Sequence, residues 1–248
     1  MSRRFVCVRI DSYESEEAQK HVRSLLDGRF ENSAFVIIAP DGKEWLTTAG
    51  RGPNQVLGGP PTQYPRKVEA MRKIADRYKA KGKSGEAVLQ DFHSFGQALN
   101  VASADQRILV VLQGEGKAMA GARERLRSIA ASGDLIGRFH YDSSPGKDWT
   151  KVVTGLEEGA GIHLIVPAAF GLEGTLHRTL PITATADEVR KALLEANAAY
   201  AKSEKRKVYR EHVSKGRRDG IRIESAVPYG EDRDGDGKID APRRGRRR

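Results

Sequence analysis

Apolar residues follow two rhythms along this chain, and the switches between them lay out its elements. Residues 5–10 are rich in β-branched side chains and predict a buried strand. Residues 14–26 place Ala18, Val22, Leu25 and Leu26 at helical spacing, with Ser12 or Ser15 as the cap and Gly28 at the end. Two short apolar runs, 34–39 and 44–49, flank Pro40-Asp41-Gly42. Proline presets φ and glycine accepts a positive φ, so these runs predict a hairpin. Residues 50–61 are dense in Gly and Pro and read as a loop. Residues 65–81 then put Val68, Met71, Ile74, Ala75 and Tyr78 on one face of an amphipathic helix.

Residues 81–86 form a short polar linker. Beyond it the pattern predicts a helix over 92–103, a buried strand over 108–112, a helix over 119–131 and a strand over 135–141. Residues 162–166 and 175–179 predict a strand pair across a turn-rich connection. Residues 186–212 begin as a clear helix capped by Thr185, with Val189, Leu193 and Ala196 inward. The second half of that helix is heavily charged. Both halves of the chain thus end in the same order of strand, connection, hairpin and helix, a repeat of organisation with little residue identity. A βαβ unit followed by a hairpin and a covering helix implies a mixed sheet with helices on its faces.

This order of elements resembles the thioredoxin-like fold. The local likeness is carried by Gly96-Gln97-Ala98-Leu99-Asn100-Val101-Ala102 and Arg107-Ile108-Leu109-Val110-Val111-Leu112, a helix, a basic residue and an apolar strand. In the first half, Phe35-Val36-Ile37-Ile38-Ala39-Pro40-Asp41-Gly42-Lys43 is similar to a later strand and turn of that fold. The resemblance implies an α/β chain of thioredoxin-like mixed sheets flanked by helices. It implies one unit over 1–83, a second over 84–202, and a charged extension with a basic, flexible tail over 203–248.

The departures from the family pattern shape the expected function. Thioredoxin-like oxidoreductases carry Cys-x-x-Cys where a helix N-terminus lowers the thiol pKa. At the matching place stand Gly114-Glu115-Gly116-Lys117-Ala118-Met119. The proline expected before each hairpin is replaced by Ser33-Ala34 and Gly161-Ile162. The first unit opens at what resembles the second strand of the fold, so its dithiol helix would lie before Met1. The only cysteine, Cys7, sits between Val6 and Val8 and reads as a small buried hydrophobe. No catalytic constellation and no organic cofactor are expected. The reading is a non-catalytic binding or scaffold protein. An N-terminally truncated thiol-disulfide oxidoreductase is the alternative.

Charge adds a third reading. Lys and Arg total 43 against 33 Asp and Glu, a net charge of +10, and Arg243, Arg244, Arg246, Arg247 and Arg248 crowd the tail. Such a terminus attracts polyanions, so a polyanion-binding module acting through the C-terminus is a further alternative. No apolar run reaches membrane-spanning length. The chain as written is expected in the cytoplasm, or exported if its true start lies upstream. The partner protein is unspecified. A half-unit without its first strand would expose a sheet edge that a homodimer could cover.

Metal chemistry is confined to one motif. Asp232-Arg233-Asp234-Gly235-Asp236-Gly237-Lys238-Ile239-Asp240 resembles the first part of an EF-hand or dockerin-like calcium loop. The resemblance implies Ca²⁺ ligands at Asp232, Asp234, Asp236, the Lys238 carbonyl and Asp240, with Gly237 at the sharp turn. Arg243 stands where the bidentate Glu belongs, so affinity should be weak. The six histidines are scattered and lack metal-ligand spacing. His163 and His177 are placed to meet across the second hairpin. The Gly-rich stretch 50–61 lacks the lysine and helix start of a phosphate loop.

Overall fold

A computed structural model describes residues 4–5, 8–26, 28, 34–50, 52, 55–58, 61–78, 89, 91–143, 149–156, 159–203 and 208–230. The chain divides into two compact units. One joins Met1–Gly82 with Ser225–Arg248, and the other is Lys83–Glu224. The protein is mixed α/β, with one five-stranded mixed sheet and six α-helices among the described residues.

In the first unit, α1 (Glu16–Leu25) starts at Ser15, whose hydroxyl accepts from the Ala18 N–H at 3.1 Å. Helix α2 (Tyr64–Arg77) buries Ile74 and Ala75 on the expected face. The returning segment lies along α1. Ala226 N–H donates to the Tyr13 carbonyl at 3.0 Å, and Gln19 Nε2 to the Pro228 carbonyl at 2.7 Å.

The expected hairpin forms as two isolated antiparallel bridges, Ile38 with Trp45 and Phe35 with Gly50. Two residues separate the bridges on one side and four on the other, so the ladder bulges. The Ile37 N–H is satisfied there by the Thr47 hydroxyl at 2.9 Å, a side chain standing in for a ladder carbonyl. The strand expected over 5–10 is not formed where it is described. Val8, Arg9 and Ile10 are coil, and Val8 is 75% exposed. Strand propensity is realised only where a neighbour completes the ladder, and none does so at these described positions. Cys7 lies outside the described residues.

The second unit begins with α3 (Phe95–Asp105), whose cap Ser94 accepts from the Gln97 N–H. It continues with β1 (Ile108–Gln113), α4 (Gly116–Ala130), β2 (Phe139–Asp142), β3 (Val153–Thr154), β4 (Gly161–Pro167), β5 (Gly174–Pro181), α5 (Ala186–Ser203) and α6 (Tyr209–Arg218). The strand order is β2-β1-β4-β5-β3. β1 runs parallel to β2, β4 runs antiparallel to β1 and β5, and the short β3 lies parallel to β5. The second strand begins at Phe139 rather than residue 135, because Leu135 to Gly137 are turn and Gly137 takes φ +73°. The long helix expected over 186–212 is two helices, α5 and α6.

Alternation along the strands divides the core between the two sheet faces. Ile108, Val110, Leu112, Ile162 and Leu164 face α4 and α5, meeting Leu126, Val189 and Leu193. Leu109, Val111 and Ile165 face α3, meeting Phe95, Leu99, Trp149 and Val153. A capping box starts α5. Thr185 Oγ1 accepts from the Glu188 N–H, and Glu188 Oε2 accepts from the Thr185 N–H at 2.8 Å. Those bonds hold the Glu188 carboxyl below its usual pKa.

Candidate functional site

The carboxyl ends of parallel strands are where α/β sheets usually place their chemistry, because the connecting backbone opens there. In this chain β1 leaves the sheet through Gly114 and Glu115 and enters α4 at Gly116, which takes φ +57°. Glu115 occupies the cap position without a side-chain cap bond, and Glu115 to Lys117 are exposed. This turn is where the dithiol of a thioredoxin-like enzyme would stand.

Register places three polar side chains on the α3 face of the sheet at this end. Val111 stands opposite both Asp142 on β2 and His163 on β4, so all three share a face. Gln113, two residues on from Val111, falls on that face too. Asp142 and His163 are each only 1% exposed. His163 Nδ1 lies 3.0 Å from Thr179 Oγ1, and its ring sits 5.3 Å from that of Trp149. A methyl group at Gly161 would come within 3.2 Å of the ring and 3.0 Å of the Leu180 carbonyl, so glycine there makes room for the imidazole. His163 Nε2 and Gln113 Oε1 are buried without a hydrogen-bond partner among the described residues. Burial pushes the His163 pKa below its usual value, and the Gly159 backbone, which favours the protonated ring, does not offset it. The ring is therefore a neutral, internal group rather than an accessible base.

Beside it, Asp91 ties the entry of the unit to the end of β2. Its Oδ1 accepts from Ser143 N–H at 2.8 Å and Ser143 Oγ at 2.5 Å, and its Oδ2 from Arg123 Nη1 at 2.9 Å. Arg123 Nη2 also donates to the Leu89 carbonyl. A serine held between a carboxylate and a guanidinium is a structural clip, since its lone pairs and proton are already engaged.

The sequence singled out the Gly114 to Met119 turn, and the structure puts it at this end of the sheet. Asp91, Gln113, Arg123, Ser143 and Trp149 were not singled out, because only strand register and the fold of the unit's entry bring them together. His163 and His177 do not meet. A bulge between Leu164 and Ile165 leaves His177 as the extra residue of β5, exposed, while His163 faces Thr179. Part of the Gly/Pro-rich loop, Leu57 and Gly58, joins Gln63, Arg66, Lys67 and Ala70 in lining an open depression of the first unit. Asp232, Asp234, Asp236, Lys238 and Asp240 all lie outside the described residues, as does the arginine tail. Among the described residues no cluster of three or more His, Cys, Asp and Glu side chains is placed to hold a metal ion. No described helix is long and apolar enough to cross a membrane.

The fold and this site define a mixed α/β protein with a buried polar set at the carboxyl end of its parallel strands. No family model, no curated protein and no solved structure matches the chain.

Proposed function

We propose that the chain is a non-catalytic, thioredoxin-like binding or scaffold protein whose second unit has exchanged the dithiol for a glycine turn. The observation that carries this reading is the strand order β2-β1-β4-β5, with β4 opposed to its neighbours and α4 joining the parallel pair. That order supports a thioredoxin-like layout, and Gly114-Glu115-Gly116 then occupies the dithiol position. In the first unit the bridged hairpin followed by α2 supports a reduced version of the same order. Disulfide exchange needs an attacking thiolate, and the Lys83–Glu224 unit contains no cysteine. An insulin-reduction assay tests the reading. The purified chain is expected to leave the precipitation rate at the level of dithiothreitol alone, and robust turnover would overturn it.

Weak Ca²⁺ binding at Asp232, Asp234, Asp236, Lys238 and Asp240 belongs to the same proposal. The support is the spacing of carboxylates and glycines, which offers a hard cation several oxygens. Calorimetric titration is expected to give a Kd on the order of 10⁻⁴ M or weaker. Heat unchanged by Asp234→Asn would remove the loop from the proposal.

A further inference from the structure

We infer that α6 and its exit form a contact surface for the phosphate backbone of a nucleic acid, with Arg210, Arg217, Arg218 and Arg222 as the phosphate-binding side chains. This surface stands on observations separate from the thioredoxin-like reading.

The inner side of α6 is fully committed. His212 stacks on Phe170 with ring centroids 4.2 Å apart and planes 17° apart. Gly216 lies against the same ring, where a methyl group would come within 3.0 Å of Phe170 Cε1. Phe170 is itself fixed at φ +61° in the β4–β5 connection, and its carbonyl accepts from Asn100 Nδ2 at 2.6 Å. The helix therefore rests on a rigid platform and turns Arg210, Ser214, Arg217 and Arg218 to solvent, with Arg222 exposed just beyond.

The arginines of this surface differ from those earlier in the unit. Arg107, Arg123, Arg127, Arg178 and Arg190 each hold an Asp or Glu, and Arg125 holds the Ile182 carbonyl. Among the described residues Arg210, Arg217, Arg218 and Arg222 hold none. Lys215, on the same helix, is paired with Asp219. Helix polarity explains cations in the last turn, where they meet the negative end of the dipole. It does not explain Arg210, which sits in the first turn where a cation is disfavoured, or Arg222 past the end. An external anion accounts for all four.

The chemistry favours phosphodiester over other anions. Guanidinium groups bind phosphate through two parallel N–H bonds, which lysine cannot do. Arg210 and Arg217 are separated by about 10 Å along the helix axis, near the rise of three nucleotides of one duplex strand. A membrane surface fits less well, because an interfacial helix needs an exposed apolar face and Phe170 already covers that face here. Backbone contacts of this kind bind without sequence preference.

Fluorescence anisotropy with a short labelled DNA duplex and a single-stranded RNA, titrated with the full chain over a range of salt, tests this. The variant Arg210→Gln/Arg217→Gln/Arg218→Gln/Arg222→Gln leaves the tail arginines in place. It is expected to bind the duplex at least about tenfold more weakly near 0.1 M salt, with the salt slope reduced by about three. The corresponding four lysine substitutions should retain most of the slope. All four positions are exposed, so far-UV circular dichroism should match the parent. Equal affinity and slope in parent and glutamine variant would overturn the inference and move any binding to the tail. So would no nucleic-acid binding by the parent, or tighter binding to phosphatidylserine vesicles lost in the same variant.

Discussion

Replacing Gly171 with alanine is expected to destabilise the Lys83–Glu224 unit by roughly 2–5 kcal/mol, the sum of left-handed backbone strain and overpacking. Gly171 takes φ +66°, which costs any residue with a Cβ. The added methyl would also lie 2.4 Å from Asn100 Cα, Asn100 N and Leu99 C. Those are backbone atoms of α3, so no side-chain rotation relieves the clash. The same connection is pinned by Ser103 Oγ, which donates to the Ala168 carbonyl at 2.7 Å. Neither the loop nor the helix can move without losing these bonds. Urea unfolding followed by Trp149 fluorescence in a Trp45→Phe background reports on this unit alone. Gly133→Ala, with nothing within 4 Å of its new methyl, is the control. Equal midpoints for the two variants would show that the loop does not pack on α3 as described.

Stability of the same unit is expected to fall on acidification through the protonation of His163. Burial depresses the folded-state pKa of this imidazole below its usual value. The unfolded chain therefore takes up the proton first as the pH falls. The stabilising contribution is complete above the unfolded pKa of about 6.5, is lost as the pH drops below it, and stops changing under the folded pKa. One such group gives a slope of at most about 1.4 kcal/mol per pH unit. On the same face of the sheet, Asp142 stands two strands away. Urea midpoints between about pH 8 and pH 5 are expected to decline in the parent and to flatten in His163→Gln. The glutamine still offers Thr179 a hydrogen bond. A decline of equal steepness in both proteins would assign the effect to other groups.

Strand strength depends on partners that lie far away in sequence, and residues 5–10 illustrate this. Their composition is as strand-like as that of 108–112, yet Val8 is exposed and β1 is buried between β2 and β4. The two segments differ in what lies beside them, which local pattern does not encode. The site shows the same dependence. The Gly114-Glu115-Gly116 turn was legible because it follows an apolar strand and precedes a helix. Asp91, Ser143 and Arg123 lie tens of residues apart and carry no local signal. The histidine pair failed for a smaller reason. One extra residue in β5 shifts every later partner by one place, and a bulge cannot be read from an apolar run.

By itself the sequence determined what is local. The caps at Ser15, Ser94 and Thr185, the Pro40-Asp41-Gly42 turn, and the helical and strand rhythms of α3, β1, α4 and α5 all follow from neighbours within a few residues. Only the tertiary structure decided which strands pair, which face His163 occupies, and why Phe170 accepts a left-handed backbone beneath α6. Those outcomes rest on register and close packing between distant segments, where the energy of a whole interface overrides the preference of any one residue.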